Sequence, residues 1–308
     1  MGGFREATSG EAEFLAELVA AGLVIESGVP GVYGFNAVYA DIRERLELLV
    51  TCNAADDRPE KLHFPPVLPR KTLEGTGYLN SFPHLGASVF GFEGNESDAA
   101  ELACVAARNG PWPHQAQTDL VLTPAACYPV YPAIAKRGPL PPGGLCIDVG
   151  SALVFRNEPS GDPARLQMFR QRELVRIAEP DTVAEWRNKW RDRAIDILTS
   201  LGIEASFSIA ADPFFGRAGR LMSISQREQA LKFEVLGPIA SPQPTALASF
   251  NYHREHFAHV HGIAMADGSE AHSACLGFGM ERCTLALLKK HGLEPDSWDA
   301  GVRKLLWG

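Results

Sequence analysis

The sequence lacks an apolar run long enough to span a membrane. Its longest run, residues 18–25, is eight residues and ends before Glu26, whereas a membrane-spanning helix needs about 20. The N-terminal residues, with Arg5 and Glu6, are not followed by the hydrophobic core of a signal peptide. These absences predict a cytoplasmic protein without membrane contact.

The sequence has few cysteines and fewer basic than acidic residues. The six cysteines show no tight pairing pattern, so without an export signal we expect thiols, open to metal binding or catalysis, rather than disulfides. There are 29 Lys and Arg against 37 Asp and Glu, a net charge of -8. Proteins that grip long stretches of tRNA or DNA usually carry a basic surface, so this balance disfavours such a partner.

The chain of 308 residues, 45% of them hydrophobic, is predicted to be globular and to contain one or two domains. Apolar spacing predicts helices over residues 11–23, 38–50, 181–201 and 277–292, with Asp181 as an N-cap after Pro180. Short strands are predicted over residues 119–122, 146–149, 152–156, 166–177, 206–210, 230–238, 246–250 and 260–265. Few alternating strand–helix units are present, which indicates an α+β fold with a mainly antiparallel sheet flanked by helices.

Two neighbouring segments suggest a nucleotide site. If both are strands, Arg156 and Glu158 share a face, as do Phe169, Gln171 and Glu173, and the segments pair as a hairpin across a Gly-Asp-Pro turn. A guanidinium suits a phosphate, a phenyl ring suits a base, and a carboxylate suits the amine edge of adenine. The alternative is a surface ion pair beside a core phenylalanine.

A second pattern, Gly277-x-Gly279-x-x-Arg282, places glycines before a predicted helix. Glycines allow close approach to a phosphate, and a helix start supplies free N–H groups. Close packing of a helix on a sheet explains the same glycines equally well.

Histidines recur over residues 253–261. They do not form the His-Glu-x-x-His pattern of zinc proteases, since His253 and His256 are three residues apart. We therefore interpret them as hydrogen-bonded side chains, with metal ligation as the less favoured alternative.

Together these segments resemble the class II aminoacyl-tRNA synthetases, and most closely the seryl type. Residues 64–70 and 75–83 look like the motif 1 region with its Gly-Tyr-Leu-x-Ser-Phe-Pro continuation. Residues 155–173 are similar to motif 2, and residues 277–282 resemble motif 3. The three motifs occur in the same order as in the family, across roughly residues 60 to 290. The resemblance implies a class II synthetase-like antiparallel sheet flanked by helices.

Two features indicate a truncated branch, the amino acid:[carrier protein] ligases. Only about 60 residues precede motif 1, without the long helical arm that holds tRNA, and Cys127, Glu173 and Cys275 match the zinc ligands of the atypical archaeal seryl enzymes. The resemblance implies a single catalytic domain over residues 1–308, with a helical extension over residues 1–60. It also implies a homodimer that activates a small amino acid, glycine or alanine, with ATP and transfers it to a carrier's phosphopantetheine thiol.

The resemblance further implies individual roles. Arg156 would hold the α-phosphate and Arg282 the γ-phosphate, Phe169 would stack on adenine and Glu158 would read its amine. Arg165 and Leu166 are also implied for ATP, which Mg²⁺ accompanies, and Lys232 and Glu234 are weaker phosphate or metal candidates, with a strand-surface pair as the alternative. The residues implied for the amino acid are Glu173, Ala248, Ser249 and Asn251. Those implied for Zn²⁺ are Cys127, Glu173 and Cys275.

Two other functions remain open at this stage. A minimal seryl-like tRNA synthetase would need a tRNA-binding region, which the sequence does not reveal. A catalytically silent binding module would not need Arg156, Glu158, Arg282 and the zinc ligands together.

Carrier proteins are usually acidic, so docking on this acidic chain requires a local basic surface. The predicted helix over residues 182–201 offers one, with Arg187, Lys189, Arg191 and Arg193 on its less apolar sides. The alternative is a solvated face on which Glu185, Asp192 and Asp196 balance these charges.

Overall fold

The computed structural model describes residues 4–308, which form twelve strands and eleven α-helices. The strands are β1 (Val24–Glu26), β2 (Tyr33–Phe35), β3 (Glu60–Lys61), β4 (Val67–Pro69), β5 (Ser88–Phe92), β6 (Gln115–Leu122), β7 (Leu145–Phe155), β8 (Met168–Ala178), β9 (Ser206–Ile209), β10 (Lys232–Gly237), β11 (Thr245–Arg254) and β12 (His272–Gly279). The helices are α1 (Ser9–Ala20), α2 (Ala37–Asn53), α3 (Arg70–Gly75), α4 (Tyr78–Ser81), α5 (Glu96–Ala106), α6 (Val130–Ala135), α7 (Pro180–Ser200), α8 (Gly216–Glu228), α9 (His256–His261), α10 (Met280–His291) and α11 (Ala300–Trp307). None of these helices combines the length and apolarity needed to cross a membrane.

The central element is a seven-stranded sheet with the order β3-β7-β8-β12-β11-β10-β9. Its pairs are antiparallel except for the parallel pair β3–β7. A three-stranded sheet, β4-β6-β5, and the hairpin β1–β2 accompany it. The predicted α+β class with a mainly antiparallel sheet is confirmed.

The predicted hairpin is formed by β7 and β8, which pair from Leu145↔Ile177 to Phe155↔Met168. Phe169, Gln171 and Glu173 alternate along β8 as expected. The prediction that Arg156 and Glu158 share a strand face is wrong, because β7 ends at Phe155 and both residues belong to the following loop.

Three local predictions require correction. Residues 256–261 form α9, where a strand over 260–265 was expected. The helix expected from Gly277 begins at Met280, after strand β12. Asp181 lies in the first turn of α7 and does not cap it, because the helix begins at Pro180 and Glu179 occupies the N-cap position. Short apolar runs do not distinguish strands from buried helices, which explains the first two errors.

Helices cover both faces of the large sheet. On one face α2, α7 and α10 share a core that includes Trp190, Leu46 and Leu287, all fully buried. On the other face α6 and α9 pack through Tyr131 and Phe257, whose rings stack with centroids 4.1 Å apart. Each large apolar side chain buried in this way stabilises the fold by about 1.5–3 kcal/mol.

A buried ion pair joins α2 to the sheet. The Arg172 guanidinium on β8 donates to both carboxylate oxygens of Asp148 on β7, at 2.6 and 2.9 Å. It also donates to the Thr51 hydroxyl on α2, at 3.2 Å. Arg172 and Asp148 are both buried, so the pair is shielded from solvent screening.

Candidate active site

The loop after β7, strand β8 and the start of α10 surround a cavity of about 580 Å³, including the open solvent at its mouth. Its walls contain eight of the residues that the resemblance assigned to ATP or substrate. These residues are Arg156, Glu158, Arg165, Leu166, Phe169, Ala248, Ser249 and Arg282. Residues separated by more than 120 positions in the chain are therefore brought together as expected. Ala248, which the resemblance assigned to the amino acid, lines this first cavity with the nucleotide residues and does not line the second.

The walls of this first cavity contain three guanidinium groups and two carboxylates, those of Glu158 and Glu281. Arg282 is fixed by donating to the carbonyl oxygens of Ala164 at 2.7 Å and Ala246 at 3.1 Å. Burial, and then the charge of Arg165, lower the pKa of Arg282. Arg165 donates to Glu158 at 2.5 Å. The excess positive charge suits a polyphosphate.

Phe169 and Arg156 form a stacked pair at the inner end of this cavity. The guanidinium carbon of Arg156 lies 5.4 Å from the Phe169 ring centroid. The Arg156 Nε–H donates to the Pro124 carbonyl oxygen at 3.0 Å, which fixes the direction of the side chain. The phenyl ring lines the cavity wall and is available to a flat base.

A second cavity, of about 1310 Å³ including its open mouth, adjoins the first. Arg156, Gln171 and Ser249 line both cavities, so the two meet at these side chains. Much of the second wall is aromatic, with contributions from Tyr78, Phe82, Tyr128, Phe214, Tyr252 and Phe257. The sequence pattern alone did not single out these aromatic side chains as parts of a site.

Cys127, Glu173 and Cys275 meet in the second cavity. Their ligand atoms lie within 4.8 Å of one another, and all three side chains are buried. Cys127 comes from the turn before α6, Glu173 from β8 and Cys275 from β12. In the sheet register Cys275 faces Val175 and Gly277 faces Glu173, so the two strands bring thiol and carboxylate together diagonally.

The electrostatics of this cluster call for a cation. Neither Glu173 oxygen has a hydrogen-bond partner among residues 4–308, and burial raises the pKa of Glu173. Contact with Cys127, and then burial, raise the pKa of Cys275 well above its usual value. Contact with Cys275 favours the Cys127 thiolate, but burial and the Glu173 charge outweigh it and raise the pKa of Cys127. A bound cation would satisfy the orphaned oxygens and favour all three anions. The donor set therefore fits a metal ion.

Gly277 explains how Gln171 reaches its place between the cavities. A Cβ at position 277 would lie 2.6 Å from the Gln171 Nε2 atom, so a larger residue there would displace this amide. The Gln171 Oε1 atom accepts a hydrogen bond from the Ala126 N–H at 3.3 Å, which holds the chain next to Cys127. Gly277 lies within β12 and its close contact is with a side chain of β8, so the packing here is between neighbouring strands and not the helix-on-sheet packing of the alternative interpretation.

Lys232 and Glu234 do not lie in the first cavity. Lys232 is buried in the wall of the second, where its Nζ contacts Asp212 at 2.7 Å and Glu234 at 3.0 Å. Burial alone would raise the pKa of Asp212, but the Lys232 charge and hydrogen bonds from Gln226 and Lys232 outweigh it and lower the pKa. The alternative of a strand-surface pair does not hold for the lysine, which is only 7% exposed.

His253 also lines the second cavity. Its Nε2 atom lies 3.6 Å from the Cys275 Sγ, and its Nδ1 atom lies 3.2 Å from the Ser273 hydroxyl. Burial, and then the charge of His256, lower the pKa of His253 to about 3, so the ring is neutral at physiological pH. Asn251 donates towards the same sulfur at 3.8 Å.

Comparisons with known proteins agree with this geometry. No protein-family model matches the chain. It is 47% identical over 281 residues to the Amino acid--[acyl-carrier-protein] ligase 1 of Bradyrhizobium diazoefficiens, covering 91% of this chain and 86% of that protein. The chain belongs to the amino acid–carrier protein ligase family. The resemblance to carrier protein ligases seen in the sequence is thereby confirmed.

The similarity to tRNA ligases is lower and shorter. The chain is 28% identical to the type-2 serine–tRNA ligase of Methanopyrus kandleri over 58% of this chain and 36% of that protein. The M. kandleri seryl-tRNA synthetase solved with a tRNA of A. aeolicus superimposes with a TM-score of 0.80 at 21% identity, covering 98% of this chain and 60% of that chain. The structural likeness establishes the class II synthetase fold. Its membership of the carrier protein ligase family makes the chain an enzyme of the ligase class.

The basic face predicted on α7 of this ligase is mostly engaged inside the fold. Arg187 is 7% exposed, and its guanidinium lies 4.4 Å from the Phe233 ring centroid. Arg191 is paired with Asp192 at 2.7 Å, and Arg193 donates to the Asn53 carbonyl oxygen. The expectation of a free docking surface there is wrong for Arg187, because the helix uses its long basic side chains to cover aromatic rings.

Proposed function

We propose that the chain activates a small amino acid with Mg²⁺–ATP and transfers it to the phosphopantetheine thiol of a carrier protein. The observation that carries this proposal is the position of Arg156 where the two cavities meet. A reaction at the α-phosphate needs the nucleotide on one side of such a group and the amino acid on the other.

The first step joins the amino acid to AMP. A carboxylate oxygen of the amino acid attacks the α-phosphorus of ATP, and the bond from that phosphorus to the bridging oxygen breaks to release pyrophosphate. Phe169 would hold the adenine, Glu158 its amine edge, Arg156 the α-phosphate and Arg282 the γ-phosphate. Fixed positive groups around the transferring phosphorus stabilise the charge that builds up there.

The second step makes the thioester. The sulfur of the phosphopantetheine thiol attacks the carbonyl carbon, the bond from that carbon to the AMP oxygen breaks, and the thiol proton is lost. The second cavity is far larger than a small amino acid requires. Its open mouth leaves room for a long, thin arm that enters beside the bound amino acid.

We propose Zn²⁺ as the cation at Cys127, Glu173 and Cys275. Two thiolates and one carboxylate fill three positions of a tetrahedral site, which is the composition of a catalytic zinc centre with one open position. When bound, the ion supplies a Lewis acid that accepts the neutral amino group of the substrate. Asn251 and Ser249 line the same side of the cavity.

Glycine and alanine are the proposed substrates. If the amino group is held by a metal, the side chain of the substrate needs no charged partner, and selection rests on size. Tyr128 and Phe257 pack edge to face with centroids 5.7 Å apart in the wall of the cavity. One extra methylene in such an apolar wall costs about 1–3 kcal/mol, so neighbouring small amino acids would be partly accepted.

We propose that the carrier docks at α8, which borders the mouth of the second cavity through Met222 and Gln226. Arg217, Arg220 and Arg227 on this helix are exposed, and the ion pairs found among residues 4–308 do not involve them. A basic face at the entrance matches the acidic surface expected of a carrier.

We also propose a homodimer. The three-stranded sheet, whose strand β4 lies within the motif 1 region, exposes Phe90 by 57% and Phe92 by 42%. Exposed aromatic side chains grouped on one sheet are typical of a protein interface. The resemblance implies that a second copy of this chain packs against this region.

Amino-acid-dependent exchange of pyrophosphate into ATP, measured with each of the twenty amino acids, tests the first step. We expect exchange with glycine or alanine, followed by transfer of labelled amino acid to a holo carrier protein and not to total tRNA. Transfer to tRNA would favour the seryl-like synthetase. The absence of exchange with any amino acid would favour a silent binding module.

A further inference from the structure

His253 occupies an irregularity in strand β11. The β11–β12 register pairs Tyr252 with Ala274 and then Arg254 with Ser273, which leaves His253 as the extra residue. Arg254 adopts a left-handed conformation with φ of 54°, a backbone state that costs energy for a residue other than glycine. Such bulges re-aim a side chain and recur beside active sites.

The bulge turns the His253 ring towards the metal cluster, and neighbouring side chains hold it there. The ring packs edge to face on Phe257 with centroids 4.9 Å apart. Its Nδ1 atom lies 3.2 Å from the Ser273 hydroxyl and 3.3 Å from the Tyr131 hydroxyl. Its Nε2 atom lies 3.6 Å from the Cys275 sulfur.

These contacts select one tautomer when Cys275 is a thiolate. A thiolate sulfur only accepts hydrogen bonds, so the Nε2 atom facing it carries the proton. The Nδ1 atom is then an acceptor, and both hydroxyl groups beside it are able to donate. Every polar atom of the ring is satisfied by this arrangement.

The charge of the cluster explains why such a donor is needed. Two thiolates and a carboxylate bring three negative charges, and a divalent cation cancels two of them. One negative charge then remains among buried side chains, where an uncompensated charge is costly. N–H groups directed at a ligand sulfur spread this charge, and Asn251, opposite Cys275 in the register, adds a second donor at 3.8 Å.

We propose that His253 is a positioning residue of the metal site, whose Nε2–H donates to the Cys275 thiolate and fixes this ligand for zinc. The inference rests on the proposed function only in taking Cys127, Glu173 and Cys275 as the zinc ligands. Groups that hydrogen-bond to metal ligands orient them, and their loss typically lowers metal affinity by about 10–100-fold.

A matched pair of amide substitutions tests this role. Asparagine at position 253 keeps an amide near Ser273 and Tyr131 but is too short to reach Cys275, whereas glutamine places its amide near the former Nε2 position. We expect His253→Asn to weaken zinc binding by about 10–100-fold in competition with a chromophoric chelator, and His253→Gln to restore most of the affinity. His253→Phe, which suits the aromatic surroundings but cannot donate, should behave like His253→Asn.

His261→Gln serves as the control, because His261 stacks parallel to Tyr131 without lining the second cavity. It should retain wild-type zinc affinity. With Co²⁺ in place of zinc, the thiolate-to-cobalt absorption band should shift in His253→Asn and not in His261→Gln, since only the former alters a hydrogen bond to the ligand sulfur.

The outcomes separate this inference from the metal site itself. Equally tight zinc binding by wild type, His253→Asn and His253→Phe, with a raised KM for the amino acid, would assign the ring to the substrate and overturn the positioning role. Wild-type protein that binds no zinc would overturn the metal site and this inference with it.

Discussion

At the scale of single residues, Glu173 most restricts what the second cavity can hold. It is a fully buried carboxylate with neither oxygen satisfied among the described residues, and two buried cysteines lie beside it. Without a cation, burial and the negative charges of the neighbouring groups disfavour ionisation of the Glu173 carboxyl and of the two thiols. Burial raises the pKa of Glu173 and favours its neutral form, whereas a bound cation would favour the carboxylate.

Cys275→Ser should therefore remove both the metal and adenylate formation. We expect about one zinc ion per wild-type chain and almost none in the variant, measured by elemental analysis alongside pyrophosphate exchange. Cys283→Ser is the matched control, because Cys283 is also buried but its sulfur donates to the Leu247 carbonyl oxygen, outside the cluster. Stoichiometric zinc in Cys275→Ser would contradict the assignment.

Phe169→Leu should raise the KM for ATP. Stacking of a base on an aromatic side chain contributes about 1–3 kcal/mol, so the expected increase is roughly 5- to 150-fold. Phe169→Tyr keeps the ring and should stay near wild type. Initial rates of pyrophosphate exchange at varied ATP concentration provide the measurement, and an unchanged KM in Phe169→Leu would show that the base binds elsewhere.

The sequence predicted these residues to different degrees. The alternation of Phe169, Gln171 and Glu173 follows from strand geometry alone. The metal ligands are 46 and 102 residues apart (173−127 and 275−173), so no local spacing connects them and only the resemblance to a family did so. His253 was missed as a neighbour of Cys275 because a bulge, invisible in the pattern, sets its direction.

At the scale of elements, helix α7 and the hairpin β7–β8 were predictable because their patterns are long. The apolar face of α7, including Trp186, Trp190 and Leu198, is buried as expected. Strand β12 was missed because its buried residues form a continuous run without alternation, as happens when a strand is covered on both faces. The helices α4, α5, α6, α8, α9 and α11 were not predicted.

Asp148→Asn should destabilise the junction of α2, β7 and β8. The substitution removes the buried carboxylate that pairs with Arg172 at 2.6 Å and leaves only the more exposed Glu47, at 3.9 Å. Breaking a buried pair from one side costs about 3–5 kcal/mol. Thermal or urea unfolding measures the loss. The double variant Asp148→Leu with Arg172→Met, which removes both charges, should recover much of it; a double variant less stable than Asp148→Asn would contradict this account.

Charge reversal on α8 should separate the two chemical steps. Arg217→Glu combined with Arg220→Glu should slow transfer to the carrier at low salt while leaving pyrophosphate exchange intact, because exposed charges mainly govern encounter rates. Lys289→Glu combined with Lys304→Glu, on α10 and α11, is the matched control. Equal transfer by the α8 variant and the control would place the docking surface elsewhere.

At the scale of the whole molecule, the order of the strands in the large sheet determines which residues meet at the site. Glu173 and Cys275 become neighbours because β8 and β12 are adjacent in the sheet, and Arg282 reaches the first cavity because α10 follows β12 directly. The α+β class was predictable from the absence of regular strand–helix alternation. The cavities were not, because their walls depend on which distant strands pair and in what register.

Phe90→Glu combined with Phe92→Glu should convert the proposed dimer into monomers. Two carboxylates on each face of an apolar contact are costly to bury, so sedimentation equilibrium should give twice the chain mass for wild type and the chain mass for the variant. Phe4→Glu, at a phenylalanine that is 54% exposed, should remain dimeric. A monomeric wild type would refute the dimer.

The position of β12 has a consequence for synthesis on the ribosome. This strand joins β3-β7-β8 to β11-β10-β9, yet it is the last of the strands to be translated. Until it emerges, β8 and β11 each present an unpaired edge, which invites association between nascent chains. Cys275 arrives on the same strand, so a chain stalled before it has two of the three ligands. Completion of the sheet and the ability to capture the metal therefore come at the same moment of translation.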